Sequence, residues 1–124
     1  MVTAVALKIV FDDPVLGPVY NNGYISVDFA RHDIRVFNPD DEWVPVVLTP
    51  TEFRLLVAFL RHPGMVLSVQ HLADLVWPDE DARGENIRWH LNRLRAKIGP
   101  GVVENVRSFG YRYVRRSQPG NEAQ

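Results

Sequence analysis

An α+β fold is predicted by the way hydrophobic periodicity changes along the 124-residue chain. Between residues 25 and 48, apolar side chains alternate with other residues, which is typical of strands that bury one face. From residue 49 to residue 98 they recur every three or four positions, which is typical of helices. Two further β-prone runs follow the last helix. The predicted order is therefore an antiparallel meander, three helices and a C-terminal hairpin.

Composition is that of an ordinary soluble globular domain. Hydrophobic residues make up 46% and charged residues 23% of the chain, which is long enough for one domain. No apolar stretch reaches the length of a membrane span, and no secretory signal opens the sequence. The sequence contains no cysteine, which excludes disulfides and thiolate metal sites. We therefore expect a cytoplasmic protein.

The net charge of −1 hides an uneven distribution of charge. Residues 1–82 contain five Lys or Arg against twelve Asp or Glu, whereas residues 83–116 contain nine against two. A local basic patch is the feature that phosphate binding requires, whatever the total charge. The C-terminal part of the chain is therefore the candidate nucleic-acid interface.

Residues 1–22 are assigned to an N-terminal extension. The segment from Val2 to Phe11 alternates in hydropathy and predicts a strand, and a connection rich in Pro and Gly follows it. The sequence leaves three roles open for this strand: an extra strand on the meander, pairing with a partner chain, or a tether. Residues 23–116 are assigned to the folded domain, and the polar residues 117–124 to a disordered tail.

The meander is predicted from three alternating runs that are separated by turn-forming residues at 30–33 and 38–42. Pro45 in the third run predicts an edge strand, because proline lacks the N–H that a central strand needs. The side chains predicted to face inward are Ile25, Val27, Phe29, Ile34, Val36, Val44, Val46 and Leu48.

Capping residues mark the starts of the first two helices. Thr49 and Glu52 form a capping box for the first helix, and Ser68 begins the second. A proline follows the end of each helix and stops it. The residues predicted to be buried are Phe53, Leu56, Val57 and Leu60 in the first helix, and Leu72, Leu75 and Val76 in the second.

The third helix, predicted over 85–98, carries the candidate interface. One stripe of this helix is aliphatic, and the other faces are basic or polar. The stripe consists of Ile87, Leu91, Leu94 and Ile98. The other faces carry Arg88, Trp89, Asn92, Arg93, Arg95 and Lys97. Guanidinium and amide groups suit phosphates and base edges in a DNA major groove. The alternative is an amphipathic surface helix whose charges are only solvated.

The last two β-prone runs, 102–106 and 111–114, flank a short turn that contains Arg107 and Gly110. Three helices followed by such a hairpin are the order of a winged helix-turn-helix, in which the hairpin is called the wing. In that arrangement the third helix enters the major groove. The wing would bring Arg107 to the adjacent minor groove, where guanidinium groups are attracted to narrow A·T-rich DNA.

The sequence also resembles a known family, the DNA-binding effector domain of OmpR/PhoB-type response regulators. The resemblance covers residues 23–114. It is carried by the runs 48–56, 62–68, 93–98 and 110–112, together with Leu72, Trp77, Asn86, His90, Leu91, Val106 and Arg107. It implies a recognition helix in the major groove, a wing arginine in the minor groove, and a homodimer on directly repeated half-sites. It also implies that the loop 78–84 contacts RNA polymerase.

Three departures from the family pattern bear on function. The sequence contains no receiver domain, so phosphorelay signal transduction is implied by resemblance only. Arg88, Trp89 and Asn92 replace commoner side chains on the recognition helix, so a relative's base preference does not carry over. Ser108 stands at the wing tip, where the family usually has glycine.

These observations predict a sequence-specific, double-stranded DNA-binding transcriptional regulator. The side chains expected to face base edges or the groove wall are Arg88, Trp89, Asn92 and Arg93. Those expected to contact phosphates are Arg95, Lys97 and Arg112. Asn86 is placed near the helix N-terminus, where backbone amides also hold phosphate. Arg107 is assigned to the minor groove.

No enzymatic activity, cofactor or metal site is predicted. The four histidines show no metal-ligand spacing, and no phosphate loop or nucleophile motif is present. His90 is expected to pack or to contact phosphate rather than to act as a catalyst. The competing hypothesis is a winged helix that contacts other proteins and does not bind DNA, which exposure of Trp89 would favour. Fold alone does not decide between the two.

Overall fold

In a computed structural model of the protein, the described residues are 13, 15–77, 84–99 and 101–114, with only the backbone described at 84–86. The predicted strand from Val2 to Phe11, most of the loop 78–84 and the predicted tail lie outside them. The described residues fall into two compact units, of which the first ends at Val47 and the second begins at Leu48. None of the described helices has the length and apolarity that a membrane crossing requires.

The first unit contains an antiparallel sheet with the strand order β1-β2-β3-β4. Its strands are β1 (Val19–Asn21), β2 (Ile25–Asp28), β3 (Asp33–Phe37) and β4 (Trp43–Val46). The register places Ile34 of β3 between Val27 of β2 and Val46 of β4. The three predicted strands are thus confirmed. Strand β4 lies at the edge of the sheet, as Pro45 predicts.

Strand β1 was not predicted, because its residues were assigned to the Pro- and Gly-rich connection. It is three residues long and Val19 is exposed, so it shows no alternation that a sequence pattern could detect. A turn signal was nevertheless present in Asn21-Asn22-Gly23. The side chain of Asn21 accepts a hydrogen bond from the Gly23 N–H, and that of Asn22 accepts from the Tyr24 and Ile25 N–H groups. Asparagine side chains are suited to such turns.

The buried face of the meander is confirmed for β2 and β3 and wrong for β4. Val27 and Ile34 are buried, as are the other inward-facing residues predicted from 25 to 36. Val44 is 39% exposed, and Val46 and Leu48 are only half-buried. Because β4 has a neighbouring strand on one side only, its side chains have fewer neighbours to cover them.

The second unit contains three helices and a second antiparallel sheet within the described residues. The helices are α1 (Pro50–Arg61), α2 (Val69–Val76) and α3 (Gly84–Ile98). The strands are β5 (Val66–Leu67), β6 (Val103–Val106) and β7 (Gly110–Tyr113), in the order β5-β7-β6. Helix α1 packs against α2, α3 and β7. Both the α+β class and the winged helix-turn-helix order are confirmed.

The predicted caps are present at both helix starts. The Thr49 hydroxyl accepts a hydrogen bond from the Glu52 N–H at 3.2 Å, and the Glu52 carboxylate accepts one from the Thr49 N–H at 2.9 Å. At α2, the Ser68 hydroxyl accepts from the His71 N–H at 3.0 Å. These bonds satisfy amide groups that have no partner within the first turn of a helix.

The predicted buried stripes are correct for α3 and partly wrong for α1 and α2. All four aliphatic residues of α3 are buried. In α1, Phe53 and Val57 are only half-buried, whereas Leu55 and Phe59 are fully buried. Helix α1 packs against α2, α3 and β7. Its buried face is therefore broader than one stripe, and it is rotated about the helix axis relative to the predicted stripe. In α2, Leu75 is 41% exposed, and Ala73 is buried instead.

The wing is held against the start of α2 by a strand that was also missed. Strand β5 has two residues, too few for a pattern, and Leu67 pairs with Tyr111 of β7. The Gly64 N–H donates to the Tyr113 carbonyl oxygen at 3.2 Å. Gly110 has φ +146°, and a Cβ atom there would lie 2.2 Å from the Leu67 carbonyl oxygen. Glycine at 110 is therefore required for β7 to approach β5.

We predict that Gly110→Ala destabilises the protein more than Gly64→Ala does. Both glycines have positive φ, +146° and +79°, where an alanine is strained by about 1–2 kcal/mol. A Cβ atom at 64 meets nothing within 4 Å, whereas at 110 the backbone must also move, so the loss should reach about 3 kcal/mol or more. Urea unfolding of the two variants measures the difference. Equal losses would contradict the packing of the wing on Leu67.

Candidate nucleic-acid interface

Helix α3 separates a buried aliphatic side from an outward side that carries the candidate contacts. Its aliphatic stripe is fully buried. The exposed side chains are Arg88, Trp89, Asn92, Arg93 and Ala96. Their spacing of one, three and four residues places them together on one side of the helix. The structure therefore brings together the four side chains that were predicted to face base edges.

Three aromatic rings in contact extend from the end of α2 to this outward side. His90 makes edge contacts with Trp77, at a ring-centroid distance of 5.8 Å, and with Trp89, at 4.9 Å. Trp89 is 58% exposed. The Arg93 guanidinium carbon lies 5.0 Å from the centre of the Trp89 ring, which is a cation–π distance. His90 therefore packs between two tryptophans, and the Trp89 ring contacts the Arg93 guanidinium.

A carboxylate from α1 reaches the same region from the interior. The Glu52 side chain is fully buried, and it accepts hydrogen bonds from two cations of α3. Arg93 Nε donates to Oε2 at 3.3 Å, and Lys97 Nζ donates to Oε1 at 2.6 Å. Charge-assisted bonds of this kind are stronger than those between neutral groups. They connect the two helices through one ionised group.

The hydrogen bonds around Glu52 keep its carboxyl ionised. Burial raises the pKa of this carboxyl, because the charged form loses its contact with water. The hydrogen bond and charge of Lys97, the Thr49 N–H and the hydrogen bond from Arg93 act in the opposite direction and outweigh burial. The pKa of Glu52 is therefore lower than that of an ordinary glutamate.

Sequence reasoning gave Glu52 only its capping role and missed its contact with α3. The residues are separated by 41 and 45 positions, and no local pattern reports a contact over that distance. One signal was available: Arg93 and Lys97 are four residues apart and lie on one side of α3. Two cations beside a buried stripe require a partner in the core or contact with water.

Three side chains that were predicted to contact phosphates either form an ion pair within the protein or are half-buried. Lys97 is bound to Glu52. Arg112 donates from Nε at 2.8 Å, and also from Nη2, to Oε1 of Glu104, its cross-strand neighbour on β6. Arg95 is half-buried, and its Nε has no hydrogen-bond partner among the described residues. Asn86 lies in the first turn of α3, and its side chain is outside the description.

The wing turn, residues 107–109, presents Arg107 to solvent. Arg107, Ser108 and Phe109 are all exposed. Ser108, which stands where glycine was expected, has φ +71°, a conformation that glycine adopts without strain and serine rarely adopts. Neither Arg107 nor Arg88 forms an ion pair with any residue that the structure describes. Both guanidinium groups are therefore available to a ligand.

Comparison with known proteins identifies the family. A family model described as "Transcriptional regulatory protein, C terminal" matches residues 44–113, more than half of the chain. The chain belongs to this family. This is the DNA-binding domain of OmpR/PhoB-type regulators, so the resemblance drawn from the sequence is confirmed. The family is one of transcription regulators rather than of enzymes.

Relatives and solved structures agree with the family assignment. The transcriptional regulatory protein CseB of Streptomyces coelicolor is 48% identical over 99 residues, which cover 77% of this chain and 39% of CseB. The phosphate regulon regulatory protein PhoB of Escherichia coli is 36% identical over 97 residues, which cover 74% of this chain and 40% of PhoB. This OmpR/PhoB-type chain thus spans about two fifths of the length of these curated relatives.

A solved structure shows the same fold. The DNA-binding domain of Klebsiella pneumoniae RstA, in complex with the RstA box, superposes with a TM-score of 0.63 at 18% identity. The superposition covers 77% of this chain and 96% of the RstA domain. At this identity, the likeness establishes the winged-helix architecture alone.

We predict that Glu52→Gln lowers the free energy of unfolding by about 1–3 kcal/mol near neutral pH, because it weakens charge-assisted hydrogen bonds. The pKa of Glu52 is lowered in the folded state. Its ionisation therefore stabilises the fold above the ordinary carboxyl pKa, and this stabilisation is lost as pH falls through the folded-state pKa. The difference between variant and wild type should shrink in acid. Urea unfolding over a pH series tests this, and a pH-independent difference would contradict it.

Proposed function

We propose that this domain binds double-stranded DNA in a sequence-specific manner as part of a transcriptional regulator. Helix α3 would lie in the major groove, and the wing would place Arg107 in the adjacent minor groove. One observation carries the proposal: the outward side of α3 holds Arg88, Asn92 and Arg93 together, opposite a fully buried stripe. Guanidinium and amide groups are the donors and acceptors that read base edges. The RstA DNA-binding domain, of similar fold, is in complex with the RstA box.

The contacts of each side chain determine the role that we propose for it. Arg93, Asn92, Trp89 and Arg88 would face base edges or the groove wall. Arg95 and the first turn of α3, which includes Asn86, would contact phosphates. Lys97 and Arg112 have carboxylate partners within the protein, so a phosphate would have to compete with these partners. We therefore expect their contribution to affinity to be smaller than that of Arg107.

Membership of the OmpR/PhoB-type family implies further properties of the regulator. We propose that the regulator acts in the cytoplasm, has no catalytic activity, and occupies directly repeated half-sites as a homodimer. We also propose that the loop 78–84 contacts RNA polymerase; residues 78–83 of this loop lie outside the described residues. These features are carried over from the OmpR/PhoB type.

A second candidate function is protein–protein contact through α3 without DNA binding. The observation that favours it is the exposed Trp89 ring, since aromatic side chains are enriched in protein interfaces. The neighbouring arginines favour DNA, because charged side chains are depleted at the centre of such interfaces and are the ordinary ligands of phosphate. The salt dependence of binding separates the two functions.

We predict that the protein binds random duplex DNA with an affinity whose logarithm falls linearly with the logarithm of salt concentration. A double variant, Arg93→Ala with Arg107→Ala, should lose most of this binding. The control is Arg31→Ala with Arg35→Ala, which removes the same charge from exposed positions of the meander. Fluorescence-anisotropy titrations at several salt concentrations measure both. If wild-type protein fails to bind at about 50 mM salt, the protein-contact function replaces the DNA-binding function.

On an operator selected from a random library, Arg93→Ala alone should cost about 1–3 kcal/mol of binding free energy, as expected for a bidentate base contact. The same substitution should weaken binding to random DNA less, because only the attraction of one charge to phosphates is lost there. Titrations of the selected and random duplexes give the specificity ratio directly. An unchanged ratio would contradict the assignment of Arg93 to a base edge.

A further inference from the structure

The Arg93 side chain is held on two sides before any ligand arrives. Its Nε is bound to Oε2 of Glu52, and its guanidinium carbon lies 5.0 Å from the centre of the Trp89 ring. The side chain is nevertheless 49% exposed. An arginine that reads guanine uses two parallel N–H donors. With the Nε edge engaged, the two Nη groups form the donor pair that remains for a base.

The orientation of Glu52 is itself fixed by contacts that do not involve Arg93. Oε1 accepts from the Thr49 N–H at 2.9 Å and from Lys97 Nζ at 2.6 Å. These bonds come from the start of α1 and from the end of α3, so they restrict rotation of the carboxylate. The second oxygen, Oε2, is thereby directed to Arg93. A fully buried carboxylate has no alternative orientation toward water.

We infer that Glu52 is a positioning residue for base recognition: it touches no DNA but fixes the Arg93 guanidinium so that its Nη pair meets the major-groove edge of a guanine. This inference rests on the proposed function. A flexible arginine loses rotamer freedom when it binds, whereas one that folding has already ordered does not. The fixed orientation of the Arg93 guanidinium favours a contact with guanine, which needs two parallel donors, more than a contact with phosphate, which does not. Glu52 should therefore control discrimination between bases more than overall affinity.

A purely structural role for Glu52 predicts a different result. If the ion pairs only hold α1 against α3, their loss should weaken binding to every duplex by the same factor. The fold-change for a single altered guanine would then be identical in wild type and variant. A readout based on one atom of one base separates the two roles, because it is insensitive to a uniform loss of folded protein.

The experiment uses the full chain and an operator that the wild-type protein selects from a random duplex library. Each guanine of the operator is replaced in turn by 7-deazaguanine, which lacks the N7 acceptor. The guanine read by Arg93 is the one whose replacement weakens wild-type binding by about 10- to 150-fold, the range for one hydrogen bond from a charged donor, and leaves Arg93→Ala binding unchanged. Titrations are then repeated with Glu52→Gln and with Thr49→Ala.

Thr49→Ala is the matched control, because it removes the cap hydroxyl and destabilises α1 but keeps the carboxylate and the backbone N–H that binds it. All titrations are made below the unfolding temperature of the least stable variant. Should Glu52→Gln fail to fold, Glu52→Asp takes its place. It keeps the charge but withdraws the oxygens by one methylene, out of reach of Arg93.

The expected result is that Glu52→Gln lowers the 7-deazaguanine penalty at least about threefold, within the range of coupling between contacting residues, while Thr49→Ala leaves it unchanged. An equal penalty in wild type and Glu52→Gln overturns the inference and leaves the proposed function intact. If no guanine shows a penalty that Arg93→Ala abolishes, the assignment of Arg93 to a base edge fails as well. The two failures are therefore distinguishable.

Discussion

A carboxylate that folding removes from water needs hydrogen-bond donors to remain charged, and in this domain the donors of Glu52 come from two helices. The Thr49 N–H lies at the start of α1, and Arg93 and Lys97 lie on α3. The charge is therefore stable only when both helices hold their native positions. Formation of the first helix and seating of the recognition helix depend on the same buried group.

This dependence complements the aliphatic stripe of α3. Hydrophobic burial is non-directional, so four aliphatic side chains attach the helix to the core but tolerate small rotations about its axis. Charge-assisted hydrogen bonds require particular distances and angles, and they set that rotation. The aromatic contact of His90 with Trp77 adds a second fixed point, between α2 and α3. The outward side chains of α3 thus project from a helix whose orientation is defined by specific bonds.

The sequence was most informative where structure depends on neighbouring residues. The capping box, the stripe of α3 and the edge position of β4 follow from local chemistry, and all were predicted. Strands β1 and β5 are too short for a periodic signal. The exposure of Leu75 and the partners of Glu52 depend on which elements pack together, and a single sequence does not contain that information locally. In the candidate interface, likewise, the outward side chains of α3 were predicted, whereas the internal ion pairs of Lys97 and Arg112 were not.

The pairing of β5 with β7 connects the wing to the helix-turn-helix. Leu67 directly precedes the cap of α2 and is hydrogen-bonded in register with the wing, so the wing moves with the helix-turn-helix. The distance between the backbone of Arg107 and helix α3 is then fixed by the fold. In the proposed DNA complex, the backbone would therefore set the number of base pairs between the major-groove and minor-groove contacts, whereas a few side chains would set which bases are preferred.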